Sequence, residues 1–245
     1  MGGFLGAVSL LTRVPTRAGE DTARATVWIP VVGALVGLAV AGVFVALDLL
    51  LSSLVAALLA IAAGVLLTGA LHEDGLADVA DAFGAGADRG RTLEIMKDPR
   101  HGTYGVLALV LSIGVRAAAL AALSPRNAMV ALPVAHALAR AGSVALMWAL
   151  PPAGAGGIGS AYALAATRSR AAVAGGIGVA VACAAGLRWA AVAAAVTVLA
   201  AAVVARLARK KIGGQTGDVL GAAEQLAEVG ILLAAASLEP VWAWS

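Results

Sequence analysis

The chain has 245 residues, of which 61% are hydrophobic and 13% charged, and its mean hydropathy is +0.95. A soluble globular domain carries roughly 25% charged residues, so the composition excludes an ordinary soluble protein. The net charge of +3 gives no case for nucleic-acid binding. The single cysteine, Cys183, excludes an intrachain disulfide.

Long apolar blocks predict an all-α fold, a polytopic integral membrane helical bundle. The blocks lack a 3.6-residue apolar stripe, and roughly twenty apolar residues cross the hydrocarbon core. We therefore predict about seven transmembrane helices in a single domain, residues 1–245, with an N-terminal interfacial or re-entrant segment at residues 1–11. The predicted spans are residues 27–50, 53–71, 104–123, 128–150, 171–187, 189–205 and 219–237.

Small residues lie four positions apart in the first predicted span, at Gly33, Gly37 and Ala41. Residues of this size allow close helix–helix packing in a bilayer. Such faces also allow a homodimer.

Basic residues are distributed unevenly between the two sides of the predicted bundle. Thirteen lysines and arginines lie in connections on one side, whereas two, Arg126 and Arg188, lie on the other. Cytoplasmic loops carry the excess of basic residues. We therefore predict a multi-pass protein of the cytoplasmic (inner) membrane, with the N-terminus and residues 72–81 facing the cytoplasm.

Residues 72–81 read His-Glu-Asp-Gly-Leu-Ala-Asp-Val-Ala-Asp and form the densest acidic run of the chain. On a helix, Asp74, Asp78 and Asp81 share one face. Side by side, these carboxylates repel one another unless they are protonated or bridged by cations. Mg²⁺, which prefers oxygen ligands, suits this arrangement.

A second polar segment opens the last predicted span at Asp218, on the same membrane face as residues 72–81. Gln225 and Glu228 follow on the same side of that helix. An ionised side chain at mid-bilayer costs roughly 2.5–3.5 kcal/mol, so such groups need a partner or a function. The two segments together predict a metal site at the membrane surface, which suits a substrate carrying phosphate.

Two further polar residues are candidates for function. Arg140 lies in the middle of a predicted span, so we expect it to face the bundle interior and to pair with a carboxylate or a substrate anion. His72 flanks the acidic run and is a candidate acid–base group.

Three segments of this chain resemble the cobalamin synthase family, the adenosylcobinamide-GDP ribazoletransferases. They are residues 72–81, residues 93–105 (Leu-Glu-Ile-Met-Lys-Asp-Pro-Arg-His-Gly-Thr-Tyr-Gly) and residues 216–222 (Thr-Gly-Asp-Val-Leu-Gly-Ala). The resemblance extends over nearly the whole chain, with the motifs in the family's order.

That resemblance implies the last assembly step of vitamin B12, carried out by a multi-span inner-membrane enzyme that requires Mg²⁺. A hydroxyl of α-ribazole, or of α-ribazole 5′-phosphate, attacks the cobinamide-linked phosphorus of adenosylcobinamide-GDP. GMP leaves, and adenosylcobalamin or its 5′-phosphate forms.

The resemblance also implies roles for individual residues. The family's acidic positions imply metal binding by Asp74, Asp78, Asp81 and Asp218. Lys97, Arg100 and Arg140 match basic positions that could bind the diphosphate, and Gln225 is grouped with them as a substrate-binding candidate. The proton acceptor stays open among Asp81, Glu228 and His72.

Two alternatives remain open. A membrane phosphotransferase of the CDP-alcohol type would share the chemistry, but its signature continues Asp-Gly-x-x-Ala-Arg, whereas Ala77 here is followed by Asp78. A cation-coupled transporter would place carboxylates at the membrane midplane. Mg²⁺-dependent GMP release, as opposed to solute flux, distinguishes an enzyme from a transporter.

Overall fold

The structure is a computed structural model that describes residues 2–16, 22–154, 162 and 164–238. These residues form ten α-helices and no strand. The helices are α1 Gly2–Leu11, α2 Thr22–Asp48, α3 Ser53–Thr68, α4 Leu71–Gly84, α5 Arg89–Ile95, α6 Thr103–Ala121, α7 Pro125–Ala149, α8 Arg168–Ala184, α9 Leu187–Ile212 and α10 Gly217–Leu238. The predicted all-α fold is confirmed.

The helices also confirm a multi-pass membrane protein. Five of them, α2, α6, α7, α9 and α10, are long and apolar enough to cross a membrane, and α3 with α4 forms a sixth candidate span that is bent by 93°. The sequence predicts about seven spans, which is close to this number. The difference arises at α8, which has 17 residues and occupies the place of the predicted fifth span.

The bend between α3 and α4 was not predicted, because residues 53–71 were expected to form one continuous span. Gly69 and Ala70 both adopt the left-handed conformation, with φ of 68° and 59°. Two such residues in succession end α3 and turn the chain through the bend. Glu73 and Asp74 then fall in the first turn of α4, where negative charge stabilises the helix N-terminus.

The N-terminal helix α1 has ten residues and is too short to cross the bilayer. It packs on α2, where the rings of Phe4 and Trp28 meet edge to face at 5.6 Å between centroids. Its length agrees with the interfacial segment expected here. Arg17, which was counted among the basic residues of this side, lies outside the described residues.

Helix α7 lies at the centre of the bundle and packs against α2, α8 and α10. A Cβ on Gly33 would lie 2.6 Å from the carbonyl oxygen of His136, and one on Gly37 would lie 2.5 Å from that of Leu132. The small-residue face of α2 therefore packs α2 against α7 within one chain. This face gives no argument for a homodimer, which stays a prediction.

The structure and the basic residues together predict which loops share a side of the membrane. In a Cys183→Ala background, Arg91→Cys and Arg126→Cys place single thiols at opposite ends of α6. A membrane-impermeant maleimide added to right-side-out spheroplasts should label only the protein with Arg126→Cys, and inverted vesicles should reverse the result. Labelling of both from the same side would contradict the arrangement.

Candidate functional site

The two acidic segments meet where α4 crosses the start of α10. A Cβ on Gly75 would lie 2.8 Å from both the Cα and the carbonyl oxygen of Asp218. On the other side of the contact, a Cβ on Gly221 would lie 3.2 Å from the Cα of His72. The backbones of the two helices are thus nearly in contact, which confirms the predicted meeting of the two segments.

This contact brings Asp74, Asp78 and Asp218 together in a group that we call the aspartate rim. The Asp74 side chain is 64% exposed and that of Asp78 is 16% exposed. His101 lies between them, with Nε2 at 3.8 Å from Asp74 Oδ1 and Nδ1 at 3.7 Å from Asp78 Oδ1. Asp218 Oδ2 accepts a hydrogen bond from Thr216 Oγ1 at 3.2 Å.

His101 is the one ion-pair partner of the aspartate rim among the described residues. In the part of the chain that the structure describes, none of the rim's three carboxylates forms an ion pair with a lysine or an arginine. Carboxylate oxygens grouped at a partly exposed place are the donors that Mg²⁺ selects. The residues therefore fit a divalent cation, and metal binding by them stays a prediction.

Asp81 lies on the same helix but has a different environment. Its Oδ2 accepts a hydrogen bond from the amide of Gly102 at 2.6 Å, and its Oδ1 accepts one from Gly105 at 2.9 Å. A Cβ on Gly105 would lie only 2.4 Å from Asp81 Oδ2, so glycine is needed for this contact. Asp81 therefore fixes the end of α4 to the start of α6. This structural role was not among the roles predicted for Asp81, which stay predictions.

Two predicted substrate-binding residues lie beside the rim, in the connection from α5 to α6. Lys97 is exposed. Arg100 is 85% exposed and bonds to Asp98, with Nη2 at 2.7 Å from Oδ2. This side-chain hydrogen bond lowers the pKa of Asp98 to about 2. Arg100 directly precedes His101 and Lys97 lies four residues before it, so both cations lie in the connection that brings His101 to the rim.

The other predicted site residues lie inside the bundle, away from the rim. Arg140 is 2% exposed; its Nη1 pairs with Glu224 and lies 2.9 Å from His136 Nδ1. The expected pairing of Arg140 with a carboxylate is confirmed. Its guanidinium is not presented at the surface, so the geometry gives no support for the diphosphate-binding role.

Glu228, His72 and Gln225 are buried as well. Glu228 follows Asp218 by ten residues, or about 15 Å along α10. His72 Nδ1 lies 3.8 Å from Glu224 Oε2, and Gln225 bonds to Ser112 and Glu224. The roles of Glu228 and His72 as proton acceptors, and of Gln225 as a substrate ligand, therefore stay predictions.

These buried groups belong to a set that sequence reasoning largely missed, which we call the interior ion network. Its ionisable members are His72, Glu73, Arg116, His136, Arg140, Glu224 and Glu228. Arg116 Nη2 lies 3.0 Å from Glu73 Oε1, and Nη1 lies 2.9 Å from Glu228 Oε1. The signal was present in the sequence, because an arginine within an apolar span requires a buried counter-charge.

The interior ion network is already occupied by cations of its own. Ligand atoms of His136, Glu224 and Glu228 lie within 4.8 Å of one another, which is the spacing of a metal site. Arg140 Nη1, however, lies among them, at 3.9 Å from Glu228 Oε2 and closer to the other two. The guanidinium takes the place that a metal ion would need, which leaves the aspartate rim as the candidate metal centre.

Comparison with known proteins agrees with this geometry. Residues 3–236 match the family described as Cobalamin-5-phosphate synthase. The chain belongs to this family. A protein of Bradyrhizobium diazoefficiens named adenosylcobinamide-GDP ribazoletransferase is 47% identical over 240 residues, which cover 95% of this chain and 92% of the relative.

Other relatives carry the same name. The Azorhizobium caulinodans protein is 44% identical over 243 residues, covering 93% of this chain and 92% of its own length. The Sinorhizobium medicae protein is 43% identical over 241 residues, covering 92% of each. No solved structure gives a significant match. The resemblance to cobalamin synthases drawn from the sequence is thereby confirmed.

The contact between α4 and α10 predicts the effect of an added methyl group. Gly75→Ala places a Cβ against the backbone of Asp218, which cannot move aside as a side chain can. We expect the added methyl group to push the two helices apart. Activity should then fall by on the order of a hundredfold, because small misplacements at a reacting centre have effects of this size. Steady-state turnover in detergent, with a thermal unfolding curve, measures both effects.

Gly114→Ala is the matched control, since a Cβ there meets nothing within 4 Å. It should keep full activity and raise the stability of α6 by about 1 kcal/mol, the usual helical gain of alanine over glycine. Normal turnover by the Gly75→Ala protein would show that the close contact is not required.

Proposed function

We propose that this chain transfers the adenosylcobinamide phosphate from adenosylcobinamide-GDP to α-ribazole or α-ribazole 5′-phosphate, with release of GMP. The name shared by relatives that match nearly the full chain supports this reaction. The structural observation that carries it is the meeting of Asp74, Asp78 and Asp218 at a partly exposed place. A phosphate-bearing substrate needs such a place for a divalent cation.

Asp74, Asp78 and Asp218 would hold Mg²⁺, with Asp81 adjacent on α4. When bound there, the ion neutralises charge on phosphoryl oxygens and on the departing phosphate. The carboxylates of the rim come from two helices, so their relative position depends on the packing of α4 against α10. That packing is the contribution of the fold to the reaction.

Lys97 and Arg100 would attract the diphosphate to the rim. Both are exposed cations in the connection that carries His101, which lies 3.8 Å from Asp74 and 3.7 Å from Asp78. Three residues are proposed as proton acceptors. His72 and Glu228 are buried in the bundle, whereas Asp81 is on the same helix as Asp74 and Asp78 and is not fully buried. Each of its oxygens accepts one amide hydrogen bond and keeps a second lone pair for the attacking hydroxyl.

The proposed setting is the inner membrane, with the aspartate rim on the cytoplasmic face. The excess of basic residues in the connections at the rim's end of the bundle supports this orientation. Cationic side chains there include Arg89, Lys97, Arg100, Arg209, Lys210 and Lys211. A product assay with each acceptor in turn distinguishes α-ribazole from its 5′-phosphate.

A product assay tests the proposed reaction. Detergent-solubilised protein is supplied with adenosylcobinamide-GDP, Mg²⁺ and either α-ribazole or α-ribazole 5′-phosphate. We expect GMP and the corresponding cobalamin in equal amounts, and no product when the acceptor or Mg²⁺ is left out. GMP formation that does not depend on the acceptor would contradict the transfer.

Changes of single carboxylates test the aspartate rim. Asp74→Asn and Asp218→Asn keep the side-chain shape but remove a charged oxygen donor. Each should lower turnover by at least about a hundredfold, since even groups outside the direct ligands of a metal have effects of 10- to 100-fold. The rate is measured as a function of Mg²⁺ concentration.

Glu94→Gln serves as the control, because Glu94 is an exposed carboxylate paired with Arg91 on the same membrane face. It should leave the rate and its Mg²⁺ dependence unchanged. Near-normal Mg²⁺-dependent rates in both aspartate variants would remove the metal assignment.

A further inference from the structure

We propose that Arg116 is a positioning residue. Through Glu73 and Glu228 it fixes the rotation of α4 against α10 and so sets the spacing of the rim aspartates. The proposal rests on the proposed function, because it assigns a purpose to that spacing.

One guanidinium joins three helices at this point. Arg116 projects from α6 and bonds to Glu73 of α4 through Nη2, at 3.0 Å, and to Glu228 of α10 through Nη1, at 2.9 Å. All three side chains are buried. The planar fork of arginine holds its two acceptors in a fixed relative direction, which a lysine ammonium cannot do.

Glu73 and Asp74 are adjacent, so the position of one determines the position of the other. Neighbouring residues point about 100° apart on a helix. The two side chains accordingly have different surroundings. Glu73 is 9% exposed and faces Arg116, whereas Asp74 is exposed at the rim. A rotation of α4 that released Glu73 would also move Asp74 and Asp78.

Apolar packing alone defines the rotation of α4 poorly. Its buried apolar residues are Leu76, Ala77 and Ala82, and two of these three are alanines. Directional ion pairs discriminate between rotations, although apolar replacements of a buried ion pair often stabilise a protein equally well.

The other end of α4 is held by Asp81, whose carboxylate accepts hydrogen bonds from Gly102 and Gly105 at the start of α6. Glu73 and Asp81 are eight residues apart, about 12 Å along the helix. Asp74 and Asp78 lie between these two attachments. Helix α4 is therefore fixed to α6 at both ends, and Glu228 extends the first attachment to α10.

The test replaces the three charges together, with Glu73→Gln, Arg116→Met and Glu228→Gln in one protein. This leaves no unpaired charge among the three positions, so the protein should fold. Mn²⁺ binding without substrate is measured by electron paramagnetic resonance. The separation of α4 and α10 is measured between nitroxide labels at Leu71→Cys and Leu226→Cys in a Cys183→Ala background.

We expect Mn²⁺ affinity to fall by about tenfold or more, the usual effect of losing a group that orients metal ligands, and the label distances to broaden. A folded triple variant with the Mn²⁺ affinity and label distances of the unmodified protein would overturn the proposal. The control, Arg91→Met with Glu94→Gln, removes an exposed ion pair and should change neither measurement.

Arg116→Lys is the second variant, for the case in which the triple variant does not fold. It keeps the charge but removes the fork, so we expect weaker Mn²⁺ binding and broader label distances in a folded protein. Wild-type values of both would overturn the proposal. If the unmodified protein bound no Mn²⁺, the metal site of the proposed function would be contradicted, and the label distances alone would decide the role of Arg116.

Discussion

The site depends on the close approach of two backbones, those of α4 and α10. Glycine at positions 75 and 221 removes the side chains that would keep the helices apart, and a Cβ on Gly75 would lie 2.8 Å from the Asp218 backbone. The contact brings together carboxylates that are more than 130 residues apart in sequence, at Asp78 and Asp218. In a bilayer, where small residues govern helix association, this contact needs no large apolar interface.

The acidic side chains of this region divide into two groups according to their surroundings. The rim aspartates lie at a partly exposed place and have no arginine partner among the described residues, which leaves them available to a cation. Inside the bundle, Glu73, Glu224 and Glu228 are paired with Arg116 and Arg140, because an unpaired charge there would be very unfavourable. The proposed roles of the same chemical group therefore differ, with metal binding at the surface and helix alignment below it.

The sequence predicted the helices, the rim aspartates and their meeting, because apolar length and carboxylate spacing are local signals. It did not predict the bend at Gly69 and Ala70, since the expected span continued through apolar residues to Leu71. It also placed Glu228 and Gln225 at the site from their helical angles, and Arg140 from the family resemblance. Angles give the side of a helix but not the depth, and the three lie in the interior ion network.

The most direct measurement is a structure of the protein determined with Mn²⁺ in place of Mg²⁺. An anomalous-scattering peak coordinated by Asp74, Asp78 and Asp218, with Arg116 still bonded to Glu73 and Glu228, is the predicted result. A peak at Glu224 and His136 with Arg140 displaced, or metal bound elsewhere while the three aspartates stay apart, would contradict the assignment of the aspartate rim as the metal centre.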